Sequence, residues 1–275
     1  MFRHLGLIFT ALTFAAGVQP AFGVILAVDV NDRSAPDAIG DTPPGFSSYV
    51  LTPAGTAVVS TASTQAVGAY SVTLTPFDDG LDENSVTDGI QNTVGAIDDR
   101  DRATPVNTGA LTLADIYDDI VFAQTSVGPT GGMDLAVSGG ALTPNTLYRI
   151  AVYAFDSGST PEPQPRTANW LDGNNANALV LSTSFSGAAL PTSDNDYRFT
   201  GVARTDGAGA LMLRGRNTTP NGTNGATSIG VFLSGFEVDV IPEPSSQLLL
   251  AMAGVMAVAA GRNRRSSSDP APRRT

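Results

Sequence analysis

Short apolar runs with a period of two, separated by Gly, Pro, Asn and Asp, fill the chain between residues 24 and 240, and amphipathic helical spacing is almost absent. Tyr70, Val72 and Leu74 point one way while Ser71, Thr73 and Thr75 point the other, as a half-buried strand requires. The same pattern predicts strands over Val24 to Val30, Asp119 to Ala123, Asp134 to Val137, Leu147 to Phe155, Ala178 to Phe185, Tyr197 to Ala203, Ala210 to Arg214 and Gly230 to Val240. Segments such as Asp206-Gly207-Ala208-Gly209 and Pro220-Asn221-Gly222 supply turn positions where positive φ is cheap. Only Leu111 to Asp118 has the makings of a short helix, and no internal repeat of fixed period occurs. Many short strands joined by such turns predict an all-β fold, an antiparallel β-sandwich of jelly-roll type.

The chain has no cysteine, so no disulfide framework can hold this fold and a hydrophobic core must do so. Residues 24–240 are enough for one large β domain or two small ones, and a chain of this size can bury such a core. Leu142-Thr143-Pro144-Asn145-Thr146-Leu147-Tyr148-Arg149-Ile150-Ala151-Val152-Tyr153 resembles the corner leading into a central strand of fibronectin-type or galactose-binding-like sandwiches. That resemblance implies a hydrogen bond from the Tyr148 hydroxyl back to the preceding turn. A fibronectin module is about half the size of this region, which favours the larger, galactose-binding-like sandwich.

Both ends of the chain are apolar and are set aside from the fold. Arg3 and His4 form a small basic region, Leu5 to Gly17 is an apolar core, and Ala21-Phe22-Gly23 offers small residues to a signal peptidase. Residues 1–23 are therefore predicted to be a signal peptide, cleaved before Val24; an uncleaved anchor is the alternative, for which the apolar stretch is short. At the other end Pro242-Glu243-Pro244 precedes an uncharged run, Leu248 to Ala260, and then Arg262, Arg264 and Arg265. Arginine resists crossing a bilayer and stays on the cytoplasmic side, so a transmembrane helix over 247–261 with a basic stop is predicted, followed by a disordered tail over 266–275. A helix from Leu248 to Gly261 is about 21 Å long against roughly 30 Å of hydrocarbon, and recruiting Ser245 to Gln247 lengthens it.

These three parts, in this order over residues 241–265, resemble the PEP-CTERM sorting signal of bacterial exported proteins. The resemblance implies recognition by an exosortase, a membrane protease that cuts near the motif, with Pro242, Glu243, Pro244, Arg262, Arg264 and Arg265 as sorting residues. It implies a transient stay in the inner membrane and a final place at the cell surface or outside it. Pro161-Glu162-Pro163 repeats the tripeptide with no apolar run behind it and carries no such signal. An ordinary anchor helix after a proline linker is the alternative.

Residues 24–240 hold nine arginines against twenty-four acids, a formal charge of −15, and the chain has no lysine. Such a surface repels nucleic acid and anionic lipid, so no nucleic-acid partner is expected. The only histidine, His4, lies in the predicted signal peptide. Without it the body lacks His, Cys and Lys, which removes Ser-His-Asp and Cys-His nucleophiles, histidine and thiolate zinc sites, and Schiff-base chemistry. Carboxylate chemistry survives. Glu83, Glu162 and Glu237 are the glutamates of the body, and a glycosidase would need two carboxylic acids about 5–10 Å apart.

Pro76 to Val106 is acidic, poor in apolar pattern and expected to be an extended loop. Within it Asp78, Asp79 and Asp82 beside Gly80 have the oxygen-rich composition of a calcium site, although the EF-hand spacing is absent. Calcium is the one cofactor the composition suggests; otherwise none is expected. Asp29-Val30-Asn31-Asp32 and Asp194-Asn195-Asp196 raise the same question, and the alternating charges of Asp98 to Arg102 can satisfy one another at the surface.

The best ligand-site candidate is Trp170, the single tryptophan, with Asn169, Asp172 and Asn174 beside it. A loop presenting an exposed ring amid amides and a carboxylate could grip a sugar by stacking and orienting hydrogen bonds. The opposing interpretation is a large ring covering the end of the core. Three functions follow: a non-catalytic exported protein of the cell surface or extracellular matrix, a carbohydrate-binding module with exopolysaccharide as partner, or a carboxylate-based glycan hydrolase.

Overall fold

The computed structural model describes residues 23–31, 42–52, 59, 61–77, 97–125, 132–159, 166–217 and 229–241. The chain divides into two units: Gly23–Val240, and the terminal segments Met1–Phe22 with Ile241–Thr275, of which Ile241 alone is described. The predicted signal peptide, transmembrane helix and tail thus lie outside the described residues.

Gly23–Val240 is almost wholly β. One sheet has five strands, in the order β11 (Arg198–Arg204), β8 (Leu147–Tyr153), β14 (Gly235–Val240), β1 (Val24–Asn31) and β2 (Ser47–Val50). A second has six: β10 (Ala178–Phe185), β9 (Arg166–Asp172), β12 (Leu211–Asn217), β7 (Gly132–Gly139), β4 (Tyr70–Phe77) and β3 (Ser63–Val67). A third has three: β13 (Ile229–Leu233), β6 (Asp119–Thr125) and β5 (Ile97–Asp101). All pairings between these strands are antiparallel except β1 with β2, where Val28 stands opposite Ser47 in a parallel register.

Period-two burial explains most of these elements. In β10, Leu181, Thr183 and Phe185 are buried while Ser182 and Ser184 are exposed, and in β4 Val72 and Leu74 face inward. The inward side chains of all three sheets belong to one core. Its aromatic centre includes Phe155 stacked on Tyr197 at 4.6 Å and Phe185 edge-on to Phe232 at 5.1 Å, geometries that suit the ring quadrupoles.

The two large sheets meet along both edges. Tyr49 of β2 donates its hydroxyl to the Ser63 carbonyl of β3 at 2.7 Å, and the Val50 N–H donates to Gln65 Oε1 at 2.9 Å. At the opposite edge Gly201 of β11 lies so close to β10 that a Cβ there would overlap the Val180 carbonyl. Tyr148 forms the expected corner: its hydroxyl accepts the Thr143 N–H at 2.8 Å, five residues back.

Three expectations need correction. Gly230 to Val240 is not one strand, because at Ser234 the chain leaves the third sheet for the five-stranded one, so β13 and β14 serve different layers. Ile97–Asp101, expected within an acidic loop, is strand β5: Ile97 is buried and pairs with Ala123, and this anchors the charged residues behind it. The expected helix over Leu111 to Asp118 shrinks to a 3₁₀ turn, Ala114–Tyr117, with no side-chain cap.

Candidate functional site: an arginine-lined cavity

Trp170 lies in the middle of β9 rather than in a loop, fully buried and paired with Leu181 and Gly215. Its ring is therefore not offered to a sugar, and the stacking site falls. The residues around it are spent on structure. Asp172 accepts the Asn174 N–H at 2.9 Å and the Arg204 N–H at 2.8 Å, while Asn174 Nδ2 donates to the Arg204 and Ala210 carbonyls. Asn169 accepts the Ser182 hydroxyl at 2.7 Å across the β9–β10 pair. The four predicted ligand residues are neighbours in space, but they form a turn and its supporting strand.

The calcium candidates Asp78, Asp79 and Asp82 lie outside the described residues. Among the described residues no group of three or more His, Cys, Asp or Glu side chains has the arrangement to hold a metal ion. Asp194 accepts the N–H groups of Thr112 and Leu113, and Asp196 those of Thr192 and Ser193, so both carboxylates brace loops. Glu237, the glutamate in a predicted strand, is ion-paired with Arg198 and accepts the Tyr153 hydroxyl at 3.1 Å.

Asp29 is a different case. It is completely buried in β1, where Asn31 Nδ2 donates to its Oδ2 at 2.9 Å while its Oδ1 has no hydrogen-bond partner among the described residues. Burial, with the nearby charges of Asp119 and Asp115, pushes its carboxyl up to about 7 against the hydrogen bonds from Asn31 and Thr42. Burial likewise raises Asp118 to about 8, with Asp119, Asp29 and Asp115 adding to the effect and the Thr104 hydroxyl opposing it. Burial thus favours the neutral form of both carboxyls below these values.

A cavity lies where β5, β6, β13, the start of β9 and the loop at Asp156 to Ser159 converge. Arg100, Arg102, Phe122, Asp156, Gly158, Ser159, Arg166 and Phe232 line a volume of about 60 Å³. Phe122 and Phe232, paired across β6 and β13, stack at 5.8 Å with an interplanar angle of 18°. The Arg100 guanidinium lies 4.8 Å above the Phe122 ring, and that of Arg166 5.8 Å from the Phe232 ring. Arg102 Nε donates to Asp156 Oδ1 at 2.6 Å, and the Gly158 N–H and Ser159 hydroxyl also donate to Asp156. Burial would raise the Asp156 carboxyl, but these hydrogen bonds and the Arg102 charge hold it below the usual carboxylate range. Gly158 lets Arg102 lie flat on the loop, since a Cβ there would come within 2.6 Å of the guanidinium.

Arg102 therefore pairs with a residue 54 positions away, not with its neighbours in the Asp98 to Arg102 run as the local charge pattern suggests. No local sequence pattern marks the cavity residues as binding groups. The only available signal was that arginine supplies every strong cation of an acidic, lysine-free chain.

No curated protein matches the chain. Residues 240–265 match the PEP-CTERM protein-sorting motif, which covers the tail and not the β body. That motif implies export, membrane-anchored sorting toward the cell surface and processing by an exosortase. The chain thus carries, at its C-terminus, a PEP-CTERM sorting signal.

Proposed function

We propose that this protein is an exported, non-catalytic component of the cell surface or extracellular matrix. The sorting motif at residues 240–265 carries this reading, and it stands behind a body that has no His, Cys or Lys once residues 1–23 are removed. In this scheme signal peptidase removes residues 1–23, the helix over 247–261 holds the chain briefly in the inner membrane, and an exosortase cuts near Pro242, Glu243 and Pro244. The body is taken as a jelly-roll or galactose-binding-like sandwich, supported by the pairing of its first and last strands and by the Tyr148 corner.

Intact-mass analysis of the exported species is the test. A chain beginning at Val24 and ending near Pro244, with the uncut form accumulating when the exosortase is deleted, is the expected result. Retention through Thr275 in both strains would mark a plain anchor instead. Reducing-sugar release from extracellular polysaccharide would overturn the non-catalytic reading. Calcium would be sought at Asp78, Asp79 and Asp82, as a rise in Tm on calcium addition that their Asn variants lose. Carbohydrate binding is the second reading, favoured by the arginine cavity and no longer by Trp170.

A further inference from the structure

We propose that the cavity formed by Arg100, Arg102 and Arg166 binds the carboxylate of an acidic sugar, a uronic acid within an extracellular polysaccharide. The chemical class follows from charge and size, and the choice of a glycan as its carrier rests on the surface or matrix reading above.

Charge is the first argument. Residues 24–240 carry a formal −15, yet three of their nine arginines line one cavity with one carboxylate, Asp156, among them. Arg102 already neutralises that carboxylate. Asp98 shares the β5 face with Arg100, opposite Phe122, but does not line the cavity. Arg100 is solvent-exposed and lies over the Phe122 ring. A guanidinium held over an aromatic ring keeps N–H groups that can receive a carboxylate in bidentate fashion.

Size is the second. At about 60 Å³ the cavity is far below the roughly 300 Å³ at which pockets enclose whole small molecules. It admits a small oxyanion and leaves the ring that bears it outside, as binding to a polymer requires. The site is also preorganised. The Phe122–Phe232 stack supports two guanidiniums and the Asp156 loop supports the third, so little side-chain freedom remains to be lost on binding. Because the rest of the body is acidic, a polyanion is repelled elsewhere, and any attraction must arise at this locus.

The experiment is affinity electrophoresis of the full-length chain in neutral detergent through gels containing polygalacturonate, dextran sulfate or uncharged dextran, with EDTA present to remove cation bridges. Retardation by polygalacturonate alone is expected, with Arg100→Gln and Arg166→Gln each weakening it about tenfold and Arg204→Gln, on an outer strand, leaving it unchanged. Arg102→Gln should abolish it; should that variant fail to fold, the Arg100 variant decides. Equal retardation of wild type and Arg100→Gln, no retardation at all, or retardation by dextran sulfate but not polygalacturonate overturns the proposal. Cell fractionation separates it from the functional reading. A surface protein that ignores polygalacturonate sinks the cavity alone, whereas a binding-competent protein absent from the surface sinks the surface role alone.

Discussion

Trp170 shows what a single side chain contributes here. Its ring is wholly buried, so Trp170→Ala should cost about 3–5 kcal/mol in urea unfolding, through lost burial and the cavity left behind. Trp170→Phe should cost less than about 2 kcal/mol, because the indole Nε1 has no hydrogen-bond partner among the described residues and its removal relieves a buried orphan donor. A surface tryptophan would give small losses for both variants, and that result would contradict the buried strand. The sequence around it misled for a physical reason. Strand β9 buries Arg166, Ala168, Trp170 and Asp172, so its inward face begins and ends with charged residues and the polar neighbours look like a loop. Asp172 is satisfied partly by the local Asn174 N–H and partly by the Arg204 N–H, which lies 32 residues away and leaves no local trace.

Among elements, legibility followed alternation. Strand β10 was predicted at its observed bounds, since Leu181, Thr183 and Phe185 alternate with small polar residues. Strands β2, β3 and β5 were not predicted; Ser47–Val50 and Ser63–Val67 are short edge strands, and they are joined through side chains such as Tyr49 and Gln65 rather than through a long apolar run. The break at Ser234 was hidden because both sides of it are buried, and continuous apolarity cannot report a change of sheet. The arginine cavity was illegible for the same reason as β9, its members being drawn from five separate segments. At the β10–β11 edge, Gly201→Ala should destabilise by about 1–3 kcal/mol, since the new methyl meets the Val180 backbone and the strands must part. A thermal shift within error would show that this edge is looser than described. Gly158→Ala should swing Arg102 away from Asp156 and, measured by the Asp156 titration in NMR, raise that carboxyl toward its ordinary value.

For the whole molecule, the aspartates at β1 and the 3₁₀ turn set the response to pH. The Asp29 and Asp118 carboxyls hold a proton more tightly folded, at about 7 and about 8, than unfolded, near 3.8. Their contribution is thus fully present below about pH 4 and is lost as pH rises through the two folded values. The groups facing them are Asn31, Thr42, Thr104, Asp115 and Asp119, and no arginine pairs with either among the described residues. Melting should therefore fall between pH 5 and pH 9, by on the order of 10 °C if the penalty reaches several kcal/mol. Asp118→Asn should flatten the profile and raise Tm at pH 9. A Tm that climbs over this interval in the wild type would refute the assignment.

Val24 stands opposite Asp239, and the Val240 N–H donates to the Gly23 carbonyl at 3.2 Å, so the body opens and closes on adjacent strands. A chain threaded through a translocon from its N-terminus must leave β1 without its β14 neighbour until almost the entire body has emerged. On the export route proposed above, the last residues before the sorting signal would complete the five-stranded sheet, so folding would end as the signal reaches the membrane.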